Sequence, residues 1–179
     1  STVVELPPAT TARPPEQISP SRPVSPVVAP PRPGIEPKKT PEERPQQSRK
    51  PGNTEIIAIG ISTGGPNALR EVFAKLDASL QIPIVVVQHM PAGFTYEFAK
   101  SLDRISSLEI KEAEEGDIVK PGRVLIAPGN YHLTIEKKPL ATIARLNQNE
   151  NRNGHRPSVD VLFESVAREY GQRAMGIIM

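Results

Sequence analysis

Two short apolar runs, each stopped by glycine or proline and followed by an amphipathic stretch, limit what this chain can fold into. Ile56 to Ile61 is apolar except at Gly60 and does not alternate, which reads as a strand buried on both faces. Gly64, Gly65 and Pro66 stop it, and Leu69, Val72, Phe73 and Leu76 then recur at helical spacing. Ile82-Pro-Ile-Val-Val-Val-Gln88 repeats the theme. His89-Met-Pro-Ala-Gly93 follows it, and then a helix over about Phe94 to Arg104 with Phe94, Phe98, Ala99 and Leu102 on one stripe. Turns this short imply right-handed crossovers and a parallel sheet, with both carboxyl ends on one edge.

Leu108 to Ala113 alternates weakly, and Glu112, Glu114, Glu115 and Asp117 read as a solvated acidic run rather than a metal site. Gly122 to Pro128 is another short buried strand. Tyr131–Glu136 and Leu140–Leu146 alternate as the arms of a hairpin. After a polar loop at 147–154, Ser158 is placed to cap a helix with Val159, Leu162, Phe163, Val166 and Tyr170 on its buried side. Glu164 and Arg168 have i, i+4 spacing, Gly171 ends the helix, and Ala174 to Met179 begins a last strand. The expected fold is α/β: a doubly wound, mostly parallel sheet flanked by helices, with an inserted β-hairpin, and incomplete at its C-terminal end.

Gly60-Ile61-Ser62-Thr63-Gly64 fits G-x-S-x-G, in which small residues flanking the serine permit a sharp, strained turn that exposes Oγ. The Thr63 N–H then lies near a helix N-terminus, where it can face an oxyanion. Two rival readings stand beside this one: a glycine turn over 60–65 that binds an anion or nucleotide without catalysis, and a purely structural turn. The anion reading is weakened by Pro66, which stands where a P-loop needs lysine. His89 also follows a buried strand directly, so it is expected on the same sheet edge, where ligands of open α/β sheets bind. An imidazole there can take the serine proton and return it to a leaving group.

Composition divides the chain near residue 52. Residues 1–52 hold 14 of the 21 prolines, and eight Lys/Arg against five Asp/Glu, which reads as a disordered, semi-rigid linker. Its Pro-x-x-Pro spacings allow a scaffold reading in which partners dock on the tail. The remainder is nearly neutral and has no basic patch interleaved with aromatics, so nucleic acid is not an expected partner. No cysteine is present, and histidines at 89, 132 and 155 do not have metal-ligand spacing, so no metal is expected. No apolar run is long enough to span a bilayer and no secretory signal opens the chain, so a cytoplasmic location is the default. A start at Ser1 and an end in what reads as a strand suggest a piece of a longer protein.

Five motifs in order then resemble the catalytic domain of the CheB family of chemotaxis protein-glutamate methylesterases. They are Ile-Gly-Ile-Ser-Thr-Gly-Gly-Pro (59–66), Val-Gln-His-Met-Pro-Ala-Gly-Phe-Thr (87–95), Ile-Ala-Pro-Gly-Asn-Tyr-His (126–132), His-Arg-Pro-Ser-Val-Asp-Val-Leu-Phe (155–163) and Gly-Ile-Ile-Met (176–179). The resemblance covers 53–179 and makes 1–52 the linker to a receiver domain of the same parent chain. It implies hydrolysis of glutamate γ-methyl esters on chemoreceptor signalling domains, with deamidation of receptor glutamines, and no cofactor. Ser62 falls on the family's nucleophile and His89 on its histidine, while Met90, His132, His155 and Arg156 are candidate site-lining residues. For Arg156, contact with a substrate carboxylate and a salt bridge holding the loop are weighed evenly. The family's third triad member, an aspartate, is expected beyond Met179, and Asp160 is not assigned that role. A piece ending at Met179 is therefore expected to be inactive or poorly folded.

Overall fold

A computed structural model describes residues 53–179, so the linker reading of 1–52 lies outside the described residues. Five parallel strands form the central sheet: β1 (Ile56–Ile61), β2 (Ile84–Gln88), β3 (Glu109–Glu112), β4 (Arg123–Ile126) and a last strand, β7 (Ala174–Ile178), in the order β3-β4-β2-β1-β7. The antiparallel hairpin of β5 (His132–Lys137) and β6 (Thr142–Asn147) is inserted between β4 and the final helix. The α/β fold and its hairpin are as the sequence predicts.

The unalternating apolar strands are explained by two cores, one on each face. Ile59, Ile61, Val86, Val124 and Ile126 pack with α1 (Gly65–Phe73) and α2 (Phe94–Asp103) through Leu69, Phe73, Phe98 and Leu102. Their sequence neighbours Ala58, Val85, Val87 and Leu125 point the other way, onto the hairpin and α3 (Val159–Tyr170) through Leu133, Ile135, Leu162 and Val166. Burying one such side chain contributes about 1.5–3 kcal/mol, so a polar residue in these strands needs a hydrogen-bonding reason. The chain winds toward β3 after β1 and β2, and back toward β7 after β4. The direction switches between β2 and β4, the crevice where such sheets hold ligands.

Several local expectations are corrected. Phe94 is 62% exposed, because it begins α2 on the rim rather than under it. Ser158 occupies the cap position of α3 with extended backbone, but its hydroxyl makes no cap bond; its N–H donates instead to Nδ1 of His132 at 3.2 Å. Glu164 pairs with Arg152 at 2.7 Å and Arg168 with Glu169 at 3.5 Å, so the i, i+4 pair does not form. The weakly alternating Leu108–Ala113 segment supplies the edge strand β3.

The acidic run is not simply solvated. Asp117 accepts from Lys111 and from the Glu114 N–H, and Glu115 from the Leu146 N–H. Glu112 accepts from the buried Thr95 hydroxyl, which in turn accepts the Gly129 N–H at 3.1 Å. Among the described residues no group of three or more His, Cys, Asp or Glu side chains is placed to hold a metal.

Candidate active site

Ser62 and His89 are the first residues past β1 and β2, which run parallel with Ile61 opposite Gln88. The His89 N–H donates to the Ile61 carbonyl at 3.2 Å, continuing the ladder one step beyond the strands. Ser62 Oγ then lies 3.2 Å from His89 Nδ1. The hydroxyl is exposed on a rim and the ring is half-buried behind it.

The turn differs from the strained one expected at the serine. Positive φ falls on Gly64 (77°), the residue capping α1, and not on Ser62. Gly60 and Gly65 are small for packing reasons. A Cβ on Gly60 would stand 2.3 Å from Val159 Cγ1, and one on Gly65 would stand 1.7 Å from Gln88 Oε1. These contacts account for both glycines without a bound anion. Thr63 is exposed, and among the described residues its N–H has no protein acceptor, so it is free to face an oxygen arriving beside Ser62.

Burial first, and then the neighbouring His155, push the His89 imidazole below its ordinary pKa and favour the neutral base. His155 stacks on it, with ring centroids 4.0 Å apart and planes at 12°. For Nδ1 to accept from Ser62, the ring proton must sit on Nε2. Nε2 is buried and has no partner among the described residues, so it is the atom an orienting acceptor would take.

A cleft of about 370 Å³ opens beside this pair, lined by His89, Met90, Pro91, Asn130, His155 and Arg156 among others. Three of the four candidate lining residues, Met90, His155 and Arg156, are therefore brought together. Arg156 is a clasp rather than a salt bridge. It donates to Asn130 Oδ1 from Nε (3.1 Å) and Nη2 (2.7 Å), and from Nη1 to the carbonyls of Gln148 (2.8 Å) and Asn149 (2.9 Å). His132 does not line this cleft: it is 1% exposed, and with Nδ1 taking the Ser158 N–H its Nε2 donates to the Glu150 carbonyl at 3.1 Å.

Two residues at the site escaped the sequence reading. Asn130, at φ 69°, receives the Arg156 fork; its signal was a Pro-Gly-Asn turn, since asparagine tolerates left-handed backbone. Gln88 is 2% exposed and donates through Nε2 to the carbonyls of Ser62 (3.0 Å) and His89 (3.2 Å). Its signal was a lone polar residue ending an otherwise apolar strand.

Fold and site together define an α/β protein with a serine–histidine pair on the carboxyl edge of a parallel sheet. The CheB methylesterase family model matches residues 57–179, and the chain belongs to that family. It is similar to the protein-glutamate methylesterase/protein-glutamine glutaminase of Treponema denticola, 60% identical over 159 residues that cover 89% of this chain and 42% of that relative. The protein of the same name from Treponema pallidum is 62% identical over 145 residues, covering 78% and 36%. The crystal structure of the Thermotoga maritima CheB methylesterase catalytic domain superposes with a TM-score of 0.67 at 42% identity, over 69% of this chain and 66% of that one. The chain spans about two fifths of the length of the curated relatives it matches.

Proposed function

We propose that residues 53–179 carry the nucleophile and base of a protein-glutamate methylesterase that also deamidates glutamine. Ser62 Oγ attacks the γ-carbonyl of a methylated glutamate and passes its proton to His89 Nδ1. The developing oxyanion is met by the Thr63 N–H. His89 then returns the proton to the departing methoxide, methanol leaves, and a water activated by the same ring cleaves the acyl-serine to give glutamate. With a glutamine side chain the leaving group is ammonia and the product is the same. The observation that carries this reading is the 3.2 Å contact between Oγ and Nδ1 on the rim beside the cleft, in a chain of this family. None of these steps calls on a cofactor.

The substrates fitting this chemistry are the methyl-accepting signalling domains of chemoreceptors, and the reaction is assigned to the cytoplasm, where those domains lie. Residues 1–52 serve as the linker from a receiver domain earlier in the parent chain, and the orienting partner for His89 Nε2 comes from outside the described residues. Among the described residues no helix is long and apolar enough to cross a membrane. The anion-binding reading predicts that phosphate or nucleotide binding survives Ser62→Ala, and the two packed glycines give it no support.

Methanol release from a methylated receptor by the full-length protein tests the reading. Ser62→Ala is expected to lower the rate about 10³-fold or more while receptor binding persists. Hydrolysis at the unaltered rate would end it.

A further inference from the structure

We infer that Gln88 is the positioning residue that sets Ser62 against His89, an inference that rests on the proposed roles of those two side chains. Beyond the His89 N–H to Ile61 bond, the parallel ladder between β1 and β2 stops, because the chain after Ser62 turns away into Gly64 and α1. At the two strand ends the Ser62 carbonyl accepts only the Gly65 N–H of its own turn, at 3.1 Å, and among the described residues no backbone N–H reaches the His89 carbonyl. The Gln88 carboxamide bridges the two from inside the sheet, donating one N–H to each: a second bond for the Ser62 carbonyl and the protein donor for that of His89. A single planar amide thus ties together the backbones that carry the hydroxyl and the imidazole.

The amide's orientation is fixed. Turned over, it would set Oε1 against two carbonyl oxygens; as placed, Oε1 lies against the Gly65 Cα, buried and without a partner. An unsatisfied acceptor is a cost that a purely packing residue would not carry, since methionine or leucine would fill the space without it. Gly65 is the matching part, because any Cβ there would evict the amide oxygen. Gln88 touches no substrate; it acts through the two backbones.

The test separates packing from donation in the full-length protein, using Gln88→Ala, Gly65→Ala and the double variant. Three quantities are read: kcat and KM for methanol release, the melting temperature, and the rate at which phenylmethylsulfonyl fluoride modifies Ser62, followed by intact mass. In that last reaction Oγ bonds to sulfur, fluoride leaves and His89 takes the proton, so it reports the pair whatever the physiological substrate. Gln88→Ala and Gly65→Ala are each expected to slow sulfonylation and kcat at least tenfold with KM within twofold. In the double variant the methyl group introduced at position 65 fills the vacated space, so melting recovers toward wild type while both rates stay low. Rates that recover together with melting, or sulfonylation of Gln88→Ala within twofold of wild type, would overturn the inference. Gln88→Met, which keeps the volume without donors, carries the same test if the alanine variant does not fold. Failure of the underlying reading looks different: unaltered hydrolysis by Ser62→Ala, or a wild-type Ser62 that resists sulfonylation, brings down both.

Discussion

Replacing Gly60 by alanine tests how the outer layer of the fold is seated on the strand that presents Ser62. The added Cβ would meet Val159 Cγ1 at 2.3 Å and Cγ2 at 2.8 Å, against ordinary carbon contacts of about 3.5–4.0 Å. The gap must open by more than about 1 Å, and neither side yields easily: Gly60 sits mid-sheet and Val159 is the first residue of α3. Overpacking of this kind costs about 1–3 kcal/mol. For the 127 described residues that corresponds to a melting temperature lowered by roughly 4–11 °C, read by thermal denaturation. Val159→Ala on the same background removes both γ-methyls and leaves only a Cβ contact at 3.1 Å, so part of the loss should return. The double variant is thus expected to melt above Gly60→Ala. An unchanged melting temperature in Gly60→Ala, or losses that simply add in the double variant, would refute the packing account.

The acid limb of kcat/KM is expected below the ordinary imidazole value of 6.5, because burial and His155 both favour neutral His89 and the base survives to lower pH. His155→Gln should move that limb upward; a limb that stays in place would show that His155 does not tune the base. Thr95→Val removes the hydroxyl linking the half-buried Glu112 to the buried Gly129 N–H, and leaving that N–H unpaired should cost about 1–3 kcal/mol in thermal unfolding, which Thr95→Ser should restore. Arg156→Ala should speed hydrogen exchange across 148–154 and raise KM more than it lowers kcat; unchanged exchange would show that the loop holds without its clasp.

Much of this architecture was legible because a strand buried on both faces has to be apolar throughout. Ile56–Ile61 and Ile84–Gln88 could hardly be anything else, and placing Ser62 and His89 straight after them put both on one edge. What the sequence obscured was every detail in which a side chain chose among competing partners. Glu164 had Arg168 one turn away yet pairs with Arg152 across a loop, since local spacing cannot reveal a distant residue brought near by folding. His132 reads as a site residue because it lies in one of the family's motifs, but at the start of β5 its two ring nitrogens are spent on the Ser158 N–H and the Glu150 carbonyl. The stacking of His155 on His89 joins residues far apart in sequence, and no periodicity encodes such a contact. Gln88 was visible as an oddity, and only the folded chain shows which atoms it serves.

Because the hydroxyl and the imidazole ride on adjacent strands, their separation is inherited from the roughly 4.8 Å pitch of a hydrogen-bonded sheet, one of the stiffest lengths a protein offers. The far wall of the cleft comes instead from the 151–157 segment, which belongs to the opposite layer. The wall that bounds the cleft and the pair spaced by the sheet thus belong to different layers, and a change in the first need not disturb the second. On the roles proposed for Ser62 and His89, a regulator that acts on that wall governs entry while leaving the spacing of the two side chains as the sheet sets it.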